Sequence, residues 1–244
     1  TMSGEMGFPG VLSAPVWGFE DVSFDGDKLS LPQAFETYVM ENILFKISFP
    51  AEFHAQTAVE AAVKLHDKIK DKIDDIKSVE ITTHESAIRI ISKVGELNNP
   101  ADRDHCLQYM VAIGLLKGNL VAEDYEDDVA QDPRIDALRE KMIINEDKRY
   151  SKEYLEADKR SIANRIQIHF NDGTSTEEIE VEYPIGHKRR RGEGIPVLEK
   201  KFMDNLAITF DEDTTNMIFN LCMNQKELEK TSVTDFQSLF SKIP

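Results

Sequence analysis

The sequence predicts an α/β (α+β) fold in which a small mixed sheet is backed by packed helices and followed by further helices. From residue 56, apolar side chains recur at three- and four-residue spacing, as on one face of a helix. Residues 76–83 alternate apolar and polar side chains, as in a half-buried strand. Two more alternating runs, 166–170 and 179–183, flank a turn that ends in Gly173 and predict a β-hairpin.

The other helices follow from their start signals and apolar spacing. Asn99 is a typical N-cap, and Pro100 fits the first position of a helix that should run to Leu116. Gly and Pro in the first 36 residues predict loops, with one short helix near residues 9–14. Further helices are predicted over residues 86–92, 121–127, 133–142, 196–205, 214–223 and 234–241.

These elements divide the 244 residues into three parts. We expect a looped segment over 1–44, an α/β domain over 45–192, and C-terminal helices over 193–244. With 41% hydrophobic and 30% charged residues, the chain is typical of a globular protein with a sizeable core.

Charge and cysteine content exclude several classes of function. A net charge of −16 argues against nucleic acid or an anionic membrane surface as the main partner. No run approaches the ~18 apolar residues of a membrane span. Cys106 and Cys222 lie far apart, which favours a reducing compartment and supplies too few thiolates for an iron–sulfur cluster. We therefore expect no metal and no cofactor.

A first candidate site precedes the long helix that begins near Gln56. Lys46 stands before a Pro-containing turn, and His54 falls just before the helix, where backbone N–H groups favour an anion. Both side chains could therefore face an anionic ligand, and Gln56 could donate to a carboxylate. A surface lysine, a capping histidine and a helix-start role for Gln56 are the structural alternatives.

A second candidate set lies on the helix predicted from Pro100. Helical spacing places Asp102, His105 and Tyr109 on one polar face, with Arg103 and Gln108 alongside, and Asp104 is a further candidate. This face could bind carboxylates or supply acid–base groups. A solvated face, or a hydrogen-bond network between domains, is the alternative.

The dense basic run at residues 187–191 has two interpretations. It is either a solvated hinge before the C-terminal helices or a group that steers or binds carboxylates.

Together these motifs resemble the MmgE/PrpD family of dehydratases, decarboxylases and epimerases. The resemblance is carried by Lys46, Phe49, Pro50 and His54, and by the runs 38–42, 97–106, 122–139 and 182–187. It implies that residues 45–192 form a lid domain and that residues 193–244 belong to an all-α domain. The N-terminal half of that helical domain would be a separate part of a longer protein, and the resemblance also implies a homodimer.

The resemblance further implies a cluster-independent hydro-lyase acting on a small tricarboxylate, in the cytoplasm or, in a eukaryote, the mitochondrion. Such a reaction needs a base, an acid for the leaving hydroxyl and fixed cations. The candidate catalytic residues are Lys46, His54 and His105, and the candidate substrate-binding residues are Gln56, Arg103, Asp104 and Tyr109. A related enzyme that decarboxylates cis-aconitate or dehydrates citrate, or a non-catalytic lid and dimerisation fragment, remains an alternative.

Overall fold

A computed structural model describes residues 4, 7–31, 34–35 and 41–241. Its contacts separate two compact units, residues 1–41 and 42–244. In the first unit helix α1 spans Phe19–Phe24. The helix predicted near residues 9–14 is wrong, because those residues form turns that end before Pro15, whose ring disfavours a helical residue before it.

The second unit carries the sheet and the other labelled helices. Its helices are α2 Gln56–Ile69, α3 Glu85–Ile91, α4 Pro100–Arg103, α5 Leu107–Lys117, α6 Asp127–Ala130, α7 Pro133–Arg139, α8 Lys148–Leu155, α9 Arg191–Ala207, α10 Glu212–Met223, α11 Gln225–Lys230 and α12 Val233–Phe240. Its strands are β1 Ile76–Thr83, β2 Met142–Glu146, β3 Asn164–Phe170 and β4 Ile179–Val181. The domain boundaries predicted at 44 and 192 stay predictions. Residues 38–40 of the motif 38–42 lie outside the described residues.

The four strands form one mixed sheet in the order β2-β1-β3-β4. Strands β1 and β2 are parallel, whereas β1–β3 and β3–β4 are antiparallel. The mixed sheet and the hairpin are therefore confirmed, with Gly173 at a φ of 86° in the connecting turn. The predicted helix over 133–142 ends early at Arg139, since Met142 already pairs with β1.

The core lies between the sheet and helices α2 and α5. Val79 and Ile81 of β1 and Ile166 and Ile168 of β3 are fully buried on the covered face, as their alternation predicts. Helix α2 contacts both β3 and α5. Close approach of α2 and α5 depends on Gly114, because a Cβ there would lie 3.0 Å from the Cβ of Ala62.

The helix predicted from Pro100 to Leu116 is interrupted, although its cap is confirmed. The Asn99 side chain accepts a hydrogen bond from the backbone of Asp102. Residues 104–106 then form a turn between α4 and α5, with Cys106 in an extended conformation. The expectation that Asp102, His105 and Tyr109 share one polar face is therefore wrong.

The C-terminal helices are longer than predicted at their N-terminal ends. Helix α9 begins at Arg191, so that Pro196 lies inside it rather than at its first position. Helix α11 has no counterpart in the sequence prediction, because Asn224 starts a new helix immediately after α10 ends. Within the described part of the chain, no helix has the length and apolar character needed to cross a membrane.

Candidate functional site

A cavity of about 470 Å³ lies where the segment before α2 meets α8 and the basic run. The rings of His54 and Tyr154 line one part of it. Four cationic side chains also line it: Lys159, Arg160, Lys188 and Arg189. In a chain with a net charge of −16, such a concentration of positive charge favours a small anionic ligand.

Glu52, His54 and Tyr154 form a chain of hydrogen bonds at this cavity. The two carboxylate oxygens of Glu52 lie 2.8 and 2.9 Å from Nδ1 of His54, and the Tyr154 hydroxyl lies 3.2 Å from its Nε2. Burial alone would raise the pKa of Glu52, but the hydrogen bonds and charge of His54 outweigh it and hold that pKa below its ordinary value. An ionised Glu52 places the ring proton on Nδ1, so that Nε2 is the acceptor.

Several backbone bonds fix the position of His54. The Glu52 carboxylate also accepts from the backbone N–H of His54 at 2.8 Å and caps the short 3₁₀ turn Phe53–Ala55. The Asn164 amide at the start of β3 donates to the His54 carbonyl oxygen and to the Thr57 hydroxyl, both at 2.8 Å. The imidazole is therefore held between α2 and the sheet.

His84 packs against two members of this hydrogen-bonded chain, His54 and Tyr154. Its ring centroid is 4.6 Å from that of Tyr154, with an interplanar angle of 17°, and 5.2 Å from that of His54. The side chain is fully buried, and neither ring nitrogen has a hydrogen-bond partner among the described residues. Burial and, to a smaller extent, the charge of His54 lower the pKa of His84 to about 4, while Glu52 opposes the change. The ring is therefore uncharged at neutral pH.

The four cationic side chains of the cavity differ in how many ion pairs and hydrogen bonds they already form within the protein. Lys159 pairs with Glu153 at 3.0 Å, and Arg189 donates to the Lys159 carbonyl oxygen at 3.0 Å. Lys188 donates to the Asn42 side chain at 2.7 Å. Arg160 is exposed, forms no ion pair with any described residue, and has a φ of 47°. A non-glycine residue in this left-handed region is strained, and such strain clusters at functional sites.

His187 also lines the cavity and is almost fully buried. Its Nδ1 accepts from the backbone N–H of Arg189 at 3.1 Å, and its ring stacks on Tyr183. Burial and, to a smaller extent, the charges of Arg189 and Lys188 lower the pKa of His187 to about 4. A neutral His187 that accepts at Nδ1 carries its proton on Nε2, which is a hydrogen-bond donor.

We predict that stability falls as the pH drops from about 6.5 to about 4, because His84 and His187 have pKa values near 4 in the folded chain and near 6.5 in the unfolded chain. In this window the unfolded chain binds protons that the folded chain does not, so unfolding becomes easier as the pH falls. Urea unfolding across this range measures the slope. The His84→Phe variant should show a shallower slope, and a slope equal to that of the wild type would contradict the assignment.

Lys46 lies at the rim of this region. Its ammonium group lies 5.3 Å from the centroid of the Phe53 ring, which itself lines the cavity. Lys46 is exposed and pairs with no carboxylate among the residues that the structure describes. The structure thus places the Lys46 ammonium group beside a residue that lines the cavity, although Lys46 is not part of the lining itself.

Gln56 does not face the cavity. Its amide nitrogen donates to the carbonyl oxygens of Phe49 and Ala51, both at 2.8 Å, and the side chain is buried. This contact closes the Pro50 turn that precedes α2. Of the two roles considered for Gln56, the geometry therefore favours the one at the helix start.

Arg103 and Tyr109 are occupied by the protein itself. Arg103 donates to the Tyr125 carbonyl oxygen at 2.6 Å and pairs with Asp127 at 2.7 Å. The Tyr109 hydroxyl donates to the Asp124 carbonyl oxygen at 2.6 Å, and burial raises the pKa of Tyr109 to about 12. Both side chains fasten the segment 122–127 to helices α4 and α5, and a substrate-binding role for them stays a prediction.

Asp104 and His105 lie on the turn that interrupts the predicted helix. Asp104 is partly buried and His105 is exposed, and Nδ1 of His105 lies 2.5 Å from the Asp104 carboxylate. The charge of His105 makes a small contribution to the lowered pKa of Glu52. Its catalytic role and the substrate-binding role of Asp104 stay predictions.

Most cavity residues carry no distinctive sequence signal. The basic run at 187–191 was the available signal for Lys188 and Arg189, whereas Tyr154 and Arg160 belong to no motif and reach the cavity through the path of the chain after α8. Among the described residues, no cluster of three or more His, Cys, Asp or Glu side chains is placed to hold a metal ion.

Fold and site together define an α/β domain with a cation-lined cavity beside a carboxylate–histidine–tyrosine chain. The sequence profile of the MmgE/PrpD C-terminal domain matches residues 49–225. The chain therefore belongs to the MmgE/PrpD family, as its motifs predict.

The chain is also similar to curated relatives named 2-methylcitrate dehydratase. It is 54% identical to that of Escherichia coli K12 over 241 residues, which are 98% of this chain and 50% of the relative. It is 52% identical to that of Salmonella typhimurium LT2, again over 98% of this chain and 50% of the relative. It is 52% identical to "2-methylcitrate dehydratase, mitochondrial" of Yarrowia lipolytica, over 98% of this chain and 46% of the relative. The chain thus spans about half the length of these relatives.

Proposed function

We propose that this chain forms the C-terminal half of a 2-methylcitrate dehydratase. The enzyme would remove water from (2S,3S)-2-methylcitrate to give cis-2-methylaconitate in the methylcitrate cycle of propionate catabolism. The observation that carries the proposal is the cavity in which His54 and Tyr154 face four cationic side chains. Identity of 54% to a relative of that name supports the choice of reaction within the family.

The charges of the cavity suit a tricarboxylate. Each carboxylate needs a cation or several hydrogen-bond donors once it leaves water, and arginine offers paired donors in a planar fork. Arg160 is the cation best placed to take a substrate carboxylate, because among the described residues it has neither an ion pair nor a side-chain hydrogen bond, whereas Lys188 and Arg189 already donate hydrogen bonds. Lys188 and the Nε2–H of His187 supply further donors.

The hydrogen-bonded chain can move both protons of the dehydration. When the substrate displaces the Tyr154 hydroxyl from Nε2 of His54, that nitrogen accepts the proton from the carbon next to a carboxylate. The electron pair of the broken C–H bond forms the C=C bond and expels hydroxide, which takes the Tyr154 proton and leaves as water. The imidazolium then returns its proton to the Tyr154 phenolate across their 3.2 Å contact, and both groups are restored.

Lys46 would supply positive charge at the rim, where negative charge grows on the substrate carboxylate. An N-terminal half like that of the longer relatives would supply the opposite wall, and a homodimer is the assembly that we propose. A cytoplasmic location, or a mitochondrial one in a eukaryote, completes the proposal. The Yarrowia lipolytica relative carries the word mitochondrial in its name.

Replacing Arg160 by glutamine should raise KM for 2-methylcitrate by about tenfold or more, because one charge-assisted carboxylate contact is lost. The kcat value should change much less, since the reacting proton is held elsewhere. Arg89→Gln is the matched control, because Arg89 is an exposed arginine on α3 outside the cavity lining. Equal KM values for Arg160→Gln and the wild type would remove Arg160 from the site.

The activity is tested with the full-length gene product supplied with 2-methylcitrate, citrate or cis-aconitate. We expect formation of cis-2-methylaconitate from 2-methylcitrate at the highest kcat/KM. Decarboxylation of cis-aconitate at a higher kcat/KM than dehydration of 2-methylcitrate would contradict the proposal. The isolated 244-residue chain should be inactive until the N-terminal half is added in trans. Full activity of the isolated chain would contradict the shared site, whereas inactivity of every form would leave only a lid and dimerisation role.

A further inference from the structure

His84 is a buried histidine that the proposed proton transfer does not use. It follows the last residue of β1 and precedes α3. The next backbone N–H, that of Glu85, donates to the Ser151 hydroxyl of α8 at 2.9 Å. The loop that carries His84 is thereby fastened to the helix that carries Tyr154.

Three aromatic rings pack against one another at this point. His84 stacks on Tyr154 at 4.6 Å and 17°, and the His54 ring lies 5.2 Å from His84 and 5.6 Å from Tyr154. The direction of the phenol ring places the Tyr154 oxygen 3.2 Å from Nε2 of His54, and the plane of the ring sets the direction of the hydroxyl hydrogen. A stacked flat ring on one face of the phenol restricts both.

Hydrogen bonds do not account for the presence of His84. Neither of its ring nitrogens is bonded to a described residue, and the side chain has no exposed surface. The titratable groups that face it are Glu52 and His54 from the segment before α2 and Tyr154 from α8. His84 therefore acts on its neighbours through the shape of an uncharged flat ring.

We propose that His84 is a positioning residue that fixes the orientation of the Tyr154 ring, so that its oxygen can receive the proton that Nε2 of His54 returns. The proposal rests on the function proposed for the Glu52–His54–Tyr154 chain. His84 itself does not line the cavity and touches no substrate.

The test compares a flat and a non-flat replacement in the full-length protein. His84→Phe keeps the stacked ring and should retain kcat within about threefold, whereas His84→Leu fills the space without a plane and should lower kcat by about tenfold or more. KM should stay within about threefold in both variants, because the cations that bind the substrate are untouched. His66→Leu is the matched control, since the His66 ring bonds to the Leu115 carbonyl oxygen outside the cavity.

A double-mutant cycle separates positioning from a general structural role. If His84 acts through Tyr154, adding His84→Leu to Tyr154→Phe should produce no further loss of kcat. Multiplied losses in the double variant would overturn the proposal. A His84→Leu enzyme with wild-type kcat would also overturn it. So would a lower kcat combined with a higher KM in both His84 variants.

A spectroscopic readout decides the question without any turnover. The ¹⁵N resonance of His54 Nε2 reports the hydrogen bond from Tyr154, and it should move in His84→Leu but not in His84→Phe. An unchanged resonance in His84→Leu would overturn the positioning role. Absence of dehydratase activity in the wild type would instead refute the proposed function, and the resonance would still report on His84.

Discussion

Replacing His54 by glutamine is expected to lower kcat for 2-methylcitrate dehydration by about two to four orders of magnitude. Glutamine retains hydrogen-bonding capacity but cannot accept and return a proton, so the Glu52–His54–Tyr154 chain loses its central member. KM should change little, because the cations of the cavity remain. Initial rates of the full-length variant over a range of substrate concentrations measure both constants.

The matched control for this variant is His66→Gln. His66 lies on α2 after His54, and its Nδ1 bonds to the Leu115 carbonyl oxygen, away from the cavity. Its replacement should leave kcat unchanged. If His54→Gln kept more than about a tenth of the wild-type kcat, the proton path proposed here would be wrong.

Replacing Gly186 by alanine should destabilise the domain by about 3 kcal/mol or more, a large effect for one methyl group. A Cβ at this position would lie 1.7 Å from the Phe45 carbonyl oxygen and 2.6 Å from its carbonyl carbon. Both atoms belong to the backbone, so the two segments that carry Phe45 and Gly186 must move apart. The Phe45 N–H donates to the Gly186 carbonyl oxygen at 3.1 Å, and this bond would be lost as well.

The effect should reach the site, because the displaced residues adjoin Lys46 on one side and His187 on the other. The midpoint of urea unfolding at constant m measures the loss of stability. Gly192→Ala is the matched control on the same segment, since nothing lies within 4 Å of a Cβ there. Gly192 lies in α9, where alanine should be neutral or stabilising by up to about 1 kcal/mol. Equal midpoints for the two variants would contradict the close approach at Gly186.

Elements with strong local signals could be predicted from the sequence. Strand β1 and the β3–β4 hairpin follow from alternation, and α2 follows from apolar spacing. Strand β2 could not be predicted, because its five residues become a strand only by pairing with β1, far away in the chain. The interruption of the predicted helix at residues 104–106 could not be predicted either, since the apolar spacing continues through it.

The candidate site shows the same division. Lys46 and His54 could be named as candidates because they stand in one short run before α2. Tyr154, Arg160 and the basic run lie about a hundred residues or more further along the chain, and only the fold brings them to His54. The surroundings of Arg103 and Tyr109 could not be predicted, because spacing describes a helix face, whereas the tertiary structure decides what covers that face.

The central claim is that the cavity between Tyr154 and the basic run binds the tricarboxylate. A crystal structure of the full-length His54→Gln variant with 2-methylcitrate bound tests it most directly. We predict a substrate carboxylate within hydrogen-bond distance of Arg160 and the leaving hydroxyl next to Tyr154. A substrate bound against Arg103 and Tyr109, with the cavity beside Tyr154 empty, would contradict the claim.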